Sequence, residues 1–240
     1  MQDKHRKLNF HVMTLFPDMM QGIMSESITG RAMSKGVISL NTYNIRDYAQ
    51  KKNHHVDDYI YGGGSGMLMQ AEPVWLCYKD VMRHIPHGRG RVLYMSPQGK
   101  TLNQSIARAL SQNDDIVFLC GHYEGIDERA IELINPVHIS IGDYVLTGGE
   151  LAAAVIMDAV TRLLPGALGS DDSAVYESFY DGLLEYPQYT RPETYEGLRV
   201  PEVLLSGNHA RINEWRRAQA IERTRDRRPD MYEKYIQSRH

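Results

Sequence analysis

The chain has 240 residues, of which 42% are apolar, with a formal net charge of −3 and two cysteines. That length suits one large domain or one with a small companion, and the apolar share is enough for a real core. Cys77 and Cys120 are far apart and form neither a C-x-x-C nor a zinc spacing, which excludes a disulfide scaffold and predicts reduced, buried thiols in a reducing cytoplasm.

Met1 to Lys7 is polar and basic, and the apolar run after it is too short and mixed for a secretory signal. No segment approaches the roughly 20 apolar residues of a membrane helix. Charge is uneven. Residues 206–240 hold nine Lys/Arg against five Asp/Glu, so the rest of the chain carries −7 of the net −3. A basic tail on an acidic body would be where a polyanion is met.

Phe10 to Leu15 reads as a first strand, Pro17 opens a short helix toward Ser25, and Val37 to Tyr43 alternates as a second strand. Arg46 to Gln70 reads as a long polar loop, a length that is usually functional. Its Lys51-Lys52 and His54-His55 could meet phosphate, and Tyr61-Gly62-Gly63-Gly64-Ser65-Gly66-Met67 is glycine-rich. A helix over Pro73–Ile85 is well started by its proline. Thr101-x-x-Gln104 reads as a capping box opening a helix to about Ser111. A further helix runs from about Asp127 to Ile134, ended by Asn135-Pro136. Leu151 to Leu164 is apolar nearly all round and so reads as a buried helix, with Arg162 on its last turn and Pro165-Gly166 as its stop.

Three apolar runs each end in a glycine-bearing loop. Val92–Met95 leads into Ser96-Pro97-Gln98-Gly99. Ile116–Cys120 leads into Gly121-His122-Tyr123-Glu124-Gly125. Val137–Ile141 leads into Gly142-Asp143-Tyr144-Val145-Leu146-Thr147-Gly148-Gly149-Glu150. Loops at the carboxyl ends of parallel strands are where open α/β sheets bind ligands, so these three can close on one small molecule. The third loop has no Lys or Arg and lacks the lysine of a G-x-x-x-x-G-K-[ST] phosphate cradle. The pattern predicts a ligand gripped by backbone amides and carbonyls. A dinucleotide oxidoreductase would need G-x-G-x-x-G after the first strand, where Leu15-Phe16-Pro17 stands instead.

From Leu163 to Thr190 there is no arginine or lysine beyond Arg162, while Gly, Ser and acids are frequent, which reads as a flexible linker. Ala210 to Arg225 then forms a long helix. Ile212, Trp215, Ala218, Gln219 and Ile221 fall on one face; Arg211, Arg216, Arg217, Arg223, Arg227 and Arg228 fall on others. Arginine suits phosphate forks and base stacking.

Seven segments, in order, carry a resemblance: Asp57-Asp58 with Tyr61–Met67, Ser96–Gly99, Gly121–Arg129, Ser140–Glu150, Arg162–Gly166, Tyr189–Pro192 and Leu204–His209. Over about residues 9–230 the chain resembles the bacterial tRNA (guanine-N1)-methyltransferases. The resemblance implies a SPOUT-type fold: an α/β domain with a deep trefoil knot over residues 1–165, a flexible linker over 166–190 and a small helical tRNA-binding domain over 191–240. It implies S-adenosylmethionine as methyl donor, assistance by Mg²⁺ with no protein metal ligand assigned, a cytoplasmic location, and a homodimer whose active site is shared between subunits. The implied reaction methylates N1 of the guanine at tRNA position 37, immediately 3′ of the anticodon and preceded by another G. The alternative is a SPOUT methyltransferase acting on another RNA.

Carried over residue by residue, the resemblance assigns the donor pocket to Tyr94, Ser96, Pro97, Gly99, Gly121, Tyr123, Glu124, Ser140, Ile141, Gly142, Tyr144, Leu146, Gly148 and Gly149. Catalysis falls on Glu177 and Arg162. Asp58, Gly63 and Gly66 face the guanine, and His122, Arg191, His209, Arg216 and Arg217 are the other substrate contacts. The chain departs from the usual family residues at three places: Glu177 for Asp, His122 for Arg, and Ser65 for Pro.

Overall fold

A computed structural model describes residues 7–50, 55–86, 90–168 and 177–239. The chain divides into two units, residues 1–170 and 171–240.

In the first unit, β1 (Leu8–Thr14) is followed by α1 (Pro17–Met24), α2 (Ser27–Ser34) and β2 (Ile38–Asn44). After a 3-10 turn at Ile45–Tyr48, β3 (Asp57–Tyr59) and β4 (Met67–Met69) form an antiparallel ribbon. Then come α3 (Ala71–Arg83), β5 (Arg91–Thr101), α4 (Gln104–Leu110), β6 (Asp115–Leu119), α5 (Glu128–Ile134), β7 (Val137–Ser140) and α6 (Glu150–Thr161). Strands β2-β1-β6-β5-β7 make one sheet, parallel throughout. Both faces are buried, as continuous apolar strands require. Phe10, Val12, Leu93, Ile116 and Phe118 pack with α6 on one side; Met13, Val117 and Leu119 pack with α3 and α5 on the other. The polar groups these strands bury are paired: His11 Nε2 lies 3.1 Å from Asp115 Oδ1, and its Nδ1 lies 3.2 Å from the Tyr43 hydroxyl.

Four differences from the sequence reading have local causes. The long loop expected over 46–70 contains the β3–β4 ribbon, too short to show an alternating pattern; Lys51 to His54 lie outside the described residues. The helix expected to start from a Thr101 capping box is capped instead by Asn103, whose side chain accepts from Ile106 N at 3.0 Å, while Thr101 pairs with Ser140 in the sheet. Helix α2 carries little apolar signal because it buries Thr29, Gly30 and Ala32. Helix α6 is not buried all round: Leu151 and Val155, one turn apart, are 45% and 47% exposed.

The second unit contains a hairpin, β8 (Thr194–Tyr195) and β9 (Leu198–Arg199), then α7 (Glu202–Leu205), α8 (His209–Arg227) and α9 (Pro229–Gln237). Its core is small: Leu183, Ala220 and Tyr235, flanked by Tyr186, Ile221 and Tyr232. The expected linker therefore does not extend through 177–190 as free chain. Leu183 is buried, Leu184 N donates to Thr224 Oγ1 at 2.8 Å, and Glu185 N donates to Ser178 Oγ at 2.9 Å. Glycine and acidic content masked this packing; residues 169–176 lie outside the described set. The buried line on α8 also differs. It is Ile212, Ala220 and Thr224, with Arg216 half-buried between them, and Ala218 is exposed. Ile212 and Ile221 of the expected face do pack inward, but small side chains at Ala220 and Thr224 let the 183–186 segment and Tyr235 approach the helix there, which shifts the buried line.

Candidate active site

The order β6-β5-β7 puts three strand ends side by side, and the loops after them enclose a cleft of about 310 Å³. Thirteen of the fourteen residues assigned to the donor pocket line it: all but Gly99. His122, Gln98, Gly125, Thr147 and Ala152 line it as well. The lining holds no Lys or Arg.

Local geometry explains the loops. β5 pairs Met95 with Ile139, leaves the sheet, and rejoins it with Lys100 on the same Ile139. Ser96 to Gly99 are the excursion. Gly99 sits behind the cleft against β7, where an added Cβ would lie 2.3 Å from the His138 carbonyl carbon and Ile139 N. Gly149, at the N-terminus of α6, is equally constrained: a Cβ would lie 2.8 Å from Cys120 Cα, and its N–H donates to Gly121 O at 3.0 Å. These two glycines serve the approach of one loop to another, so close backbone packing, and not a ligand alone, requires glycine here. Tyr123 is left-handed (φ 60°) with its ring half exposed at the cleft, a conformation that costs a non-glycine about 1 kcal/mol or more.

A buried polar chain supports the cleft from behind. Glu150, 2% exposed at the first turn of α6, accepts from Thr14 Oγ1 at 2.5 Å, and its other oxygen lies 2.7 Å from His122 Nε2. The His122 ring meets Phe16 edge-on at 4.8 Å between centroids. A carboxylate at a helix N-terminus is favoured by the peptide dipoles. His122 is thus held as part of the scaffold of the cleft, a role its sequence context did not disclose. Burial pushes the Tyr94 hydroxyl up, and raises the Cys120 thiol directly behind the cleft, where Glu150 adds to the effect.

The β3–β4 ribbon is fastened to the same loop. Glu124 N donates to Met67 O and Met69 N to Gly125 O, both at 3.0 Å. Gly66 is thereby carried against the cleft loop, where an added Cβ would lie 2.6 Å from Glu124 Cγ, whereas Asp58 lines a separate hollow of about 800 Å³ with Tyr61, Trp75 and Arg129, and Gly63 stands open in the turn. Asp58 accepts from Gln70 Nε2 at 3.1 Å and from Tyr59 N at 2.9 Å.

Arg162 caps the C-terminus of α6, whose 12 residues span about 18 Å from the cleft end. It does not line the cleft of its own chain. In the second unit, Glu177 and Arg217 border a hollow of about 420 Å³ with Tyr180 and Asp181. Arg217 is engaged there by Asp181 and by the Tyr235 hydroxyl at 2.8 Å. Arg216 lies over the Tyr186 ring, 4.9 Å from its centroid. His209 opens α8, and Arg191 is exposed. Among the described residues no group of three or more His, Cys, Asp or Glu could hold a metal, so the Mg²⁺ implied by resemblance finds no protein ligand set there. No helix among them is long and apolar enough to cross a membrane.

Sheet and cleft together define a parallel α/β protein with an open cleft at the carboxyl edge of its strands. Residues 8–234 match the sequence model of the family described as tRNA (Guanine-1)-methyltransferase TrmD. A relative from Lachnospira eligens, named tRNA (guanine-N(1)-)-methyltransferase, is 57% identical over 229 residues, covering 95% of this chain and 97% of its own. One of the same name from Clostridioides difficile is 53% identical over 227 residues, covering 95% and 98%. A third, from Moorella thermoacetica, is 54% identical over 220 residues, covering 92% and 88%. The chain belongs to the tRNA (guanine-1)-methyltransferase family.

Proposed function

We propose that the protein methylates N1 of the guanine immediately 3′ of the anticodon in tRNAs with a preceding G, using S-adenosylmethionine. The observation that carries this is the cleft without cations. Its lining offers backbone groups, hydroxyls, the Gln98 amide, one carboxylate, Glu124, and the His122 imidazole, which is engaged by Glu150, and it holds no Lys or Arg. That donor set fits an uncharged adenosine joined to a sulfonium, and the volume is at the lower end for small-molecule pockets. When bound, the donor supplies an electrophilic methyl group; the rest falls to the chain.

Guanine N1 bears a proton at neutral pH. Glu177 accepts it as bonding at N1 begins, an effect that typically contributes about 10²–10⁴-fold. Arg162 faces the O6 on which negative charge grows. Asp58, with Gly63 and Gly66, presents the ribbon to the base beside the cleft, and the Thr14–Glu150–His122 chain keeps the Gly121 loop in place.

The proposal includes a homodimer with each site shared between subunits. Its support is the apolar face of Ile23, Tyr144, Leu146, Leu151 and Val155, which line one surface hollow and are each 37–55% exposed. Such a patch rimmed by polar groups marks an interface. It runs along the helix that separates the cleft from Arg162. The proposal also includes the SPOUT trefoil knot, supported by the excursion of β5 and by the return of the last loop across Cys120 and Gly121, and a tRNA-binding role for the second unit.

A tRNA transcript whose target guanine is replaced by adenine tests the reading. Transfer from labelled S-adenosylmethionine should fall to background; undiminished methylation would overturn it in favour of another RNA target.

A further inference from the structure

The second unit has a cleft of its own, of about 550 Å³, whose lining includes Arg191 and Arg216, two of the expected substrate contacts, together with residues to which no role has been given. One wall is the extended segment from Tyr186 to Glu193; the floor is Val200, Leu204, Leu205 and Ile212 from the start of α7 to the start of α8. Tyr189 stands at its edge, half exposed, with Trp215 behind it at 6.4 Å between ring centroids.

The charges in this cleft are not balanced internally. Glu193 is engaged by Arg199, through Nη2 at 2.9 Å and Nε at 3.1 Å, so it does not neutralise its neighbours. Arg191 and Arg216 also line the cleft, and among the described residues neither makes an ion pair. Arg216 Nε is buried with no acceptor, and its guanidinium is supported by the Tyr186 ring face alone. The adjacent Arg217 differs, being committed to Asp181 and Tyr235.

An apolar floor, an exposed ring on a rigid backing and two uncommitted guanidiniums make a set that matches one nucleotide. The floor and ring take a base, which any aromatic can stack, and the arginines take its phosphate. We propose that this cleft holds a single unstacked nucleotide of the RNA substrate, its base against Tyr189 and its phosphate toward Arg191 and Arg216. This rests on the reading of the protein as a tRNA methyltransferase and adds an anchor for a nucleotide other than the reacting guanine.

The test uses the full-length protein and an unmodified tRNA transcript, with Tyr189→Ala, Tyr189→Phe, Arg191→Gln and Arg216→Gln. The dissociation constant for tRNA is measured over a salt series, and that for S-adenosylmethionine by calorimetry. Tyr189→Ala should weaken tRNA binding about tenfold, as loss of one stacked base does, while Tyr189→Phe keeps it. Each arginine variant should lower the slope of log affinity against log salt by about one. A merely structural role would leave that slope unchanged, and donor affinity should be the same throughout. If the wild-type chain binds tRNA and all four variants bind it with the same affinity and slope, this inference falls and the proposed function stands. A wild-type chain that binds no tRNA overturns both.

Discussion

The two clefts proposed to hold ligands are built by opposite means. The cleft in the first unit is walled by strand-end loops, contains no Lys or Arg, and owes its shape to backbone held at close range by Gly99 and Gly149. The cleft in the second is walled by side chains, Tyr186, Tyr189, Arg191 and Arg216, over a small core. The difference teaches where precision comes from. A site built of main chain inherits the rigidity of a doubly buried sheet. A site built of long side chains depends on how firmly each is propped, and tolerates variety in what it holds.

The sharpest break between the two follows removal of a carboxylate. Glu177→Gln should cut methyl transfer by about 10²–10⁴-fold while calorimetry finds S-adenosylmethionine bound as before; retained turnover would remove Glu177 from the reaction. Next, Leu183→Ala opens the small core of the second unit, where Leu183 is 2% exposed. It should cost that unit about 2–5 kcal/mol. Thermal unfolding should then split into two transitions, with donor binding lost only at the second. Gly99→Ala acts on the other side of the comparison. The new methyl presses on the β7 backbone, an overpacking worth about 1–3 kcal/mol, and donor affinity should fall with it. Thr14→Val deprives Glu150 of its hydroxyl donor and should destabilise by about 1–3 kcal/mol, read from denaturant midpoints. An unchanged midpoint would mean that Glu150 is held by His122 alone.

The smallest effect concerns pH. Burial pushes the Cys77 and Cys120 thiols up. A thiol raised in the folded state contributes stability that is intact below its unfolded value, ~8.5, and is lost as pH climbs toward the folded value. Denaturant midpoints should therefore decline above about pH 8.5, less steeply in Cys120→Ala. A thiol reagent at pH 8 should label neither cysteine until the chain unfolds.

The strand-end loops were legible in the sequence because their signal is local: an apolar run, then glycine. The parallel order that joins them follows from the same runs. The β3–β4 ribbon was not legible, since three-residue strands across a glycine-rich turn show no period, and only Met67 and Met69 binding the Glu124 loop give it a place. Thr101 was mistaken for a cap because Asn103, two residues on, competes for the same donors and prevails once Thr101 is bound in the sheet. The His122–Glu150 contact spans 28 positions and has no sequence signature. On α8 the apolar pattern locates Ile212 and Ile221 but not the shift of the buried line to Ala220 and Thr224, because a small side chain and a threonine carry little apolar signal. The apolar run of α6 gives its buried face but not the exposure of Leu151 and Val155, which the described residues leave about half covered.

The strand that departs at Met95 and resumes at Lys100 makes loop length a matter of alignment. Deleting one residue between them would turn Lys100 and Thr101 to opposite sides and pull Asn103 off the start of α4. Any graft of this loop from a relative would have to carry residues 96–103 as one block. Within that block, single substitutions at the exposed Pro97 and Gln98 should disturb the fold far less than any change in number, although both line the cleft.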